Sequence, residues 1–87
     1  MFTQFTYQNV FEAIVETITE MVGTKSTLLA ETRLDDDLAM DSLEMVELGV
    51  ILERKFAMKF SLAQIRSCAT LEDILTIVLE SKQGVMV

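Results

Sequence analysis

One serine hydroxyl is the group in this sequence best placed to carry chemistry. Ser42 follows an acidic stretch that ends in Asp41 and precedes a strongly amphipathic segment. This setting predicts an exposed hydroxyl in the first turn of a helix, where unpaired amides and the positive end of the helix dipole favour an attached phosphate. A purely structural role at the helix start fits the same residues equally well.

The sequence lacks the groups that would make such a serine a catalytic nucleophile. It contains no histidine, so neither Ser-His nor Cys-His activation can be assembled within the chain. Cys68 is the single cysteine, lies among apolar residues and is predicted to be a buried, unreactive thiol. The Asp35-Asp36-Asp37 run does not match the spacing of a calcium-binding loop. We therefore expect no catalysis, no internal disulfide and no metal site, and a serine that a separate enzyme modifies.

The composition predicts one small helical domain. The 87 residues are 51% hydrophobic and include no proline, which is typical of a folded chain near the lower size limit for a single core. The net charge of −7 argues against nucleic-acid binding and favours partners with basic surfaces. We see neither a signal-peptide pattern nor an apolar run of about 20 residues, so we expect a cytoplasmic protein without a membrane span.

Four helical segments are predicted to position Ser42. Apolar spacing and helix stop signals place them at residues 10–22, from 42 to about 56, from 61 to about 66, and from 70 to the glycine at 84. The long loop 24–41 shows no sustained period and has room for a short helical turn around 28–31. No segment has the pattern of a strand, so we predict an all-α four-helix bundle with a short third helix.

Capping signals and apolar stripes orient these segments. Asp41 followed by Glu44 predicts a capping box with Asp41 as the N-cap, and Ser61 and Thr70 are predicted to begin the third and fourth helices. Leu62 and Ile65 are expected to face inward. The predicted buried stripe of the second helix consists of Leu43, Val46, Val50, Ile51, Leu52 and Phe56.

The sequence around Ser42 resembles the signature of acyl carrier proteins. The resemblance rests on residues 37–48 together with Leu52, Glu53 and Phe56, and it extends to the starts of the third and fourth predicted helices at 60–61 and 70–73. It covers roughly residues 10–82. It implies a single domain over residues 1–87 with the four-helix bundle of acyl-carrier type.

The resemblance also implies a cofactor and a set of partners. Ser42 would receive a 4′-phosphopantetheine arm from coenzyme A through a phosphopantetheinyl transferase, and Asp41 would help present the site and the Mg²⁺ of that transferase. The arm would hold acyl groups as thioesters for a ketosynthase, an acyltransferase and other enzymes with basic docking patches. The chain would be a monomer and would not itself be an enzyme.

Two groups of residues take roles from the same resemblance. Those implied for partner binding are Asp37, Met40, Leu43, Glu44, Val46, Glu47 and Glu53. Those implied for an acyl pocket near the inner side of the second and third helices are Leu52, Phe60, Ile65 and Cys68.

Departures from the family pattern bear on the pathway. Ala39 stands where the family usually has glycine, the third segment carries Arg66 and no acid, and Lys59 adds a further base nearby. These features favour a dedicated carrier for a polyketide or another specialised metabolite over one for primary fatty acids. Two alternatives remain, namely an acidic helical module that docks on a basic partner without carrying an arm, and a protein phosphorylated at Ser42.

Overall fold

A computed structural model describes residues 6–23 and 27–83, without the side chains of residues 82 and 83. Four helices follow one another in these ranges: α1 (Tyr7–Val22), α2 (Ser42–Phe56), α3 (Leu62–Ser67) and α4 (Leu71–Gln83). No strand occurs among the described residues, where one isolated bridge joins Arg33 to Thr70. The predicted all-α class, the long loop before α2 and the short third helix are confirmed. The predicted stop at Gly84 lies outside the described residues.

The first helix begins three residues earlier than predicted. Thr6 is its N-cap and accepts a hydrogen bond from the amide of Asn9, although residues 7 and 8 are exposed and give no apolar signal. At the other end Gly23 has φ 69°, a left-handed conformation that glycine adopts without steric cost, and its amide donates to the carbonyl of Thr19. The predicted glycine stop is therefore confirmed.

The buried stripe of α2 differs from the predicted one. Its buried residues are Met45, Leu48, Gly49, Leu52 and Phe56. Leu43 and Val50, both predicted to be inside, are 75% and 45% exposed. The error arises because apolar side chains occur on both sides of this helix, so more than one helical stripe fits the sequence.

The core lies between α1, α2 and α4. The first helix packs against α4 and α2, and α3 packs against α2. The apolar spacing of α4 predicts that Leu71, Ile74, Leu75, Val78 and Leu79 are buried; the first four are, and Leu79 is half-buried. In α3 the predicted inward orientation is right for Ile65 and wrong for Leu62, which is 48% exposed. No helix within the described ranges has the length and apolarity needed to cross a membrane.

The loop before α2 is anchored rather than loosely solvated. The side chains of Leu28, Leu34 and Met40 are buried in the core. The amide of Leu34 donates to the carbonyl of Ala69 at 2.9 Å, which fastens the loop to the entrance of α4. The expected helical turn around residues 28–31 is instead a turn closed by a 3.0 Å bond from the amide of Thr32 to the carbonyl of Leu29. The loop therefore holds the start of α2 at a defined place.

Candidate functional site

A reciprocal capping box forms the start of α2. The carboxylate of Asp41 accepts from the amide of Glu44 at 2.8 Å, and the carboxylate of Glu44 accepts from the amide of Asp41 at 3.0 Å. This confirms Asp41 as the N-cap and makes Ser42 the first residue of the helix. Ser42 is exposed, and its hydroxyl has no hydrogen-bond partner among the residues that the structure describes. The hydroxyl is therefore available to a modifying enzyme.

The chain turns tightly just before the cap. The amide of Met40 donates to the carbonyl of Leu34 at 3.0 Å, and the amide of Ala39 donates to the carbonyl of Asp35 at 2.9 Å. Ala39 has φ 56°, in the left-handed region where an L side chain is strained. This is the position where the resembled family usually has glycine, so the sequence departure coincides with a backbone conformation that favours glycine.

The acidic run before the site is organised around one base. The guanidinium of Arg33 lies 3.1 Å from Asp36 and 3.8 Å from Asp35, and the amide of Arg33 donates to the carboxylate of Asp37 at 2.8 Å. Arg33 thus neutralises part of the negative charge of this run, a role that the sequence did not predict. Within the described ranges no group of three or more histidine, cysteine, aspartate and glutamate residues is arranged to hold a metal ion.

A depression of about 170 Å³ opens beside Ser42. We call it the Ser42 depression, and its lining residues are Leu34, Asp35, Met40, Asp41, Ser42, Met45, Arg66 and Cys68. Its floor is apolar, because Leu34, Met40, Met45 and Cys68 are buried. Asp35, Asp41, Ser42 and Arg66 are exposed and form its rim.

A second cavity of about 160 Å³, the α2–α3 cavity, lies between those two helices. It is lined by Val46, Gly49, Val50, Glu53, Phe60, Ser61, Leu62 and Ile65. The four residues predicted for an acyl pocket all belong to the hydrophobic core or pack against it, but they do not all line one of these two cavities. Phe60 and Ile65 line this cavity, Cys68 lines the Ser42 depression, and Leu52 belongs to the fully buried core without lining either space.

Cys68 behaves as the buried thiol that the sequence predicts. Burial and the nearby negative charge of Asp73 raise the pKa of the Cys68 thiol to about 11. Its sulfur lies 3.4 Å from the carbonyl oxygen of Gln64, to which the thiol donates. A thiol with this pKa is almost entirely protonated at neutral pH and is a poor nucleophile.

The residues predicted to bind partners are presented to different degrees. Asp37, Leu43 and Glu47 are exposed, and Val46 is half-buried. Glu53 is also half-buried, and its carboxylate accepts from the amide of Phe60 at 2.8 Å, so it holds the α2–α3 connection. The prediction for Met40 is corrected, because this side chain is only 5% exposed and packs into the core where the loop folds back.

The start of α2 fits a covalently attached phosphodiester. The amides of Ser42 and Leu43 occupy the first two helical positions, which have no intrahelical acceptor. The capping box uses the amides of Asp41 and Glu44 and leaves these two for an anion. An exposed, unbonded hydroxyl beside free amides is the arrangement that such an attachment requires.

Comparisons with known proteins agree on what the chain resembles. The family model described as "Phosphopantetheine attachment site" matches residues 12–78. An acyl carrier protein of Thermotoga maritima is 32% identical over 78 residues, covering 88% of this chain and 95% of that protein. One from Onion yellows phytoplasma is 36% identical over 66 residues, covering 75% and 87%. A solved structure named as an acyl carrier protein of Mycobacterium tuberculosis superposes with a TM-score of 0.76 at 33% identity, covering 80% of this chain and 95% of that one.

Proposed function

Because the chain belongs to the acyl carrier protein family, we propose that Ser42 is the residue that bears its 4′-phosphopantetheine arm. Members of this family are carriers rather than enzymes, and the bound arm supplies a terminal thiol that holds acyl groups as thioesters. The observation that carries the proposal is the exposed hydroxyl of Ser42, which is free of hydrogen bonds among the described residues and lies one residue inside a capped helix start. We propose that the carrier domain spans residues 1–87.

The residues around Ser42 have separable roles in this proposal. Asp41 fixes the helix start through its bond to the Glu44 amide, and its exposed carboxylate is placed to help present the site to the transferase and its Mg²⁺. The free amides of Ser42 and Leu43 stabilise the negative charge of the phosphodiester. No base of this chain is needed to activate the hydroxyl, because the transferase supplies that function.

The attachment is tested by incubating the protein with coenzyme A and a broad phosphopantetheinyl transferase and measuring intact mass. Wild type is expected to gain one arm, and Ser42→Ala none. Ser67→Ala is the matched control, since Ser67 is also exposed on a helix but uses its hydroxyl to donate to the Gln64 carbonyl, and it should be modified like wild type. A folded wild type that gains no mass would favour the acidic interaction module, and a kinase-dependent gain of one phosphate would favour phosphorylation.

We propose that partner enzymes dock on the exposed side of the start of α2. Leu43 offers an apolar contact, 75% exposed, and the exposed carboxylates of Glu47 and Asp37 attract basic partners. Such charges raise the association rate more than the lifetime of a complex, and added salt weakens them. The proposed partners are the transferase, a ketosynthase, an acyltransferase and other acyl-processing enzymes.

This docking surface is tested by the rate at which the transferase modifies charge variants. Glu47→Lys and Glu16→Lys change the net charge equally, but Glu16 is exposed on a different helix, α1, and does not line the Ser42 depression. We expect Glu47→Lys to slow modification severalfold at low salt, with a smaller effect at high salt, and Glu16→Lys to have little effect. Equal slowing by both variants would mean that overall charge, rather than this surface, steers the partner.

We propose the α2–α3 cavity as the place where a bound acyl chain is sheltered. Of the residues predicted for an acyl pocket, Phe60 and Ile65 line this cavity, and Leu52 and Cys68 lie in the core without lining it. The support is an apolar lining that includes Val46 and Gly49 and borders the proposed docking surface. Acylation of the holo protein should shift the methyl resonance of Ile65. An unchanged Ile65 signal would contradict this cavity as the acyl site.

For the pathway, we propose a dedicated carrier for a polyketide or another specialised metabolite, with fatty acid synthesis as the alternative. The support is the basic character near α3, where Arg66 and Lys59 are exposed and the helix has no acid. A partner of a primary fatty-acid carrier would meet positive charge at this helix. Neighbouring ketosynthase and acyltransferase genes would support the carrier role in general. Genes of specialised-metabolite assembly beside them would support this pathway, and a location among primary fatty-acid genes would contradict it. We also propose a cytoplasmic location.

A further inference from the structure

We propose that the Ser42 depression is the resting site of the first part of the arm, and that Arg66 binds the phosphodiester there. The inference rests on the proposed attachment at Ser42 and adds to it a defined position for the base of the arm. The residue that carries it, Arg66, is the base on α3 that the acyl-carrier pattern does not account for.

The depression contains one cation without an ion-pair partner. Arg66 is the only base in its lining, and in the part of the chain that the structure describes it forms no ion pair. Neither acid of the rim forms an ion pair with Arg66: Asp35 lies 3.8 Å from Arg33, and Asp41 accepts from the Glu44 amide. A negative group attached to Ser42 would therefore find an unpaired cation in the same depression without breaking an existing pair.

The chemistry of the two groups is complementary. A phosphodiester carries one negative charge on two non-bridging oxygens, and a guanidinium can donate two parallel N–H bonds to such a pair. The amides of Ser42 and Leu43 supply further donors at the helix start. Arg66 would thus complete a set of donors around the phosphodiester that the start of α2 provides only in part.

The floor of the depression suits the segment of the arm that follows the phosphodiester. This pantoyl segment is a branched hydrocarbon with two methyl groups and a hydroxyl. The floor consists of the buried side chains of Leu34, Met40, Met45 and Cys68. Methionine adapts its shape readily to an irregular apolar group.

The size of the depression limits how much of the arm can rest there. A cavity of about 150 Å³ accommodates a group the size of benzene. The Ser42 depression, at about 170 Å³ and open to solvent, has room for the pantoyl segment but not for the whole arm, so we expect the thiol end to lie outside it. Leu43 and Glu47 do not line the depression, so an arm at rest there leaves the proposed docking surface uncovered.

The test uses phosphorus and methionine-methyl NMR of the loaded protein. Wild type, Arg66→Gln, Arg66→Lys and Arg54→Gln are each loaded with the arm, and intact mass confirms the loading. Arg54→Gln is the matched control, because Arg54 is an exposed arginine in the last turn of α2 and does not line the depression. Backbone amide spectra establish that each variant is folded.

In wild type and Arg54→Gln we expect a displaced, broadened phosphorus resonance and shifts of the Met40 and Met45 methyl signals on loading. Arg66→Gln should bring the phosphorus resonance to the shift and width of free phosphopantetheine and abolish the methyl shifts. Arg66→Lys keeps the charge but lacks the two parallel N–H donors, so its phosphorus and methyl shifts should be intermediate. Identical spectra for all four loaded proteins would overturn the inference while leaving the attachment intact. A wild type that gains no mass would instead contradict the proposed function itself.

Discussion

The starts of α2 and α3 are built from the same motif, yet they leave their serines in opposite states. At α3 the capping residue is Ser61 itself, whose hydroxyl accepts from the Gln64 amide at 3.0 Å. At α2 the capping residue is Asp41, and Ser42 follows one residue later with its hydroxyl free of partners among the described residues. A serine at the N-cap therefore uses its hydroxyl to cap the helix, whereas a serine one residue later leaves its hydroxyl free for modification.

Of the changes that test this comparison, removal of the N-cap of α2 is expected to cause the largest loss of stability. Asp41→Ala removes the oxygen that satisfies the Glu44 amide, and we expect a loss of about 1–2 kcal/mol in the free energy of unfolding. Asp41→Asn keeps a capping oxygen without the charge and should retain most of the stability. Urea unfolding of the three proteins measures the difference. An Asp41→Ala protein as stable as wild type would show that Asp41 does not hold the helix start.

The start of α4 offers a third arrangement, in which an acid inside the helix caps the residues before it. The carboxylate of Asp73 accepts from the amides of Ala69 at 2.8 Å and Thr70 at 3.1 Å, and these bonds lower the pKa of Asp73 from its ordinary 3.8. A carboxyl whose folded pKa is lowered contributes stability above its unfolded pKa and loses that contribution as the pH falls through the folded value.

Asp73→Ala should therefore lower the free energy of unfolding by roughly 0.5–1 kcal/mol at pH 7. This lies at the low end of the range for capping residues, because the carboxylate is exposed to solvent. The gap between wild type and variant should stay constant down to about pH 5 and close as the pH falls below the ordinary pKa of 3.8. Urea unfolding at several pH values measures it. A gap that persists under acid conditions would mean that Asp73 acts through packing rather than through its charge.

The smallest expected change in stability concerns two alanines with a left-handed backbone conformation. Ala39, two residues before Asp41, has φ 56°, and Ala57, the C-cap that ends α2, has φ 53°, so both alanines are in the left-handed conformation. Glycine relieves the steric cost there but gives the unfolded chain more freedom. We expect Ala39→Gly and Ala57→Gly each to raise the stability by roughly 0.5 kcal/mol. A loss of stability in thermal unfolding of either variant would contradict its left-handed conformation.

Local signals predicted the helix starts well because caps and stops depend on neighbouring residues. The predicted helix starts are observed at Asp41 with Glu44, at Ser61 and at Thr70. The predicted stop of α1 is observed at Gly23. The capping of α1 by Thr6 was missed, since the exposed residues after it carry no apolar period.

Tertiary features were less accessible to sequence reasoning. The burial of Met40 depends on how the loop folds back onto the core, and the lining of the α2–α3 cavity depends on how α3 packs on α2. The ion pairs of Arg33 depend on the tight turn that brings the acids back toward it. The burial and the cavity lining therefore required the packed structure, whereas the ion pairs of Arg33 join residues two and three positions apart and required only the local turn.

The most direct test of the account compares Ser42→Ala with Ser61→Ala in two measurements, the mass gained from coenzyme A with a phosphopantetheinyl transferase and the free energy of unfolding. We predict that Ser42→Ala gains no arm and stays within about 0.5 kcal/mol of wild-type stability, because its hydroxyl has no structural partner among the described residues. Ser61→Ala should gain one arm and lose roughly 1 kcal/mol, because it loses a helix cap. An arm on folded Ser42→Ala, or none on folded Ser61→Ala, would contradict the assignment of the attachment to the serine that the capping box leaves free.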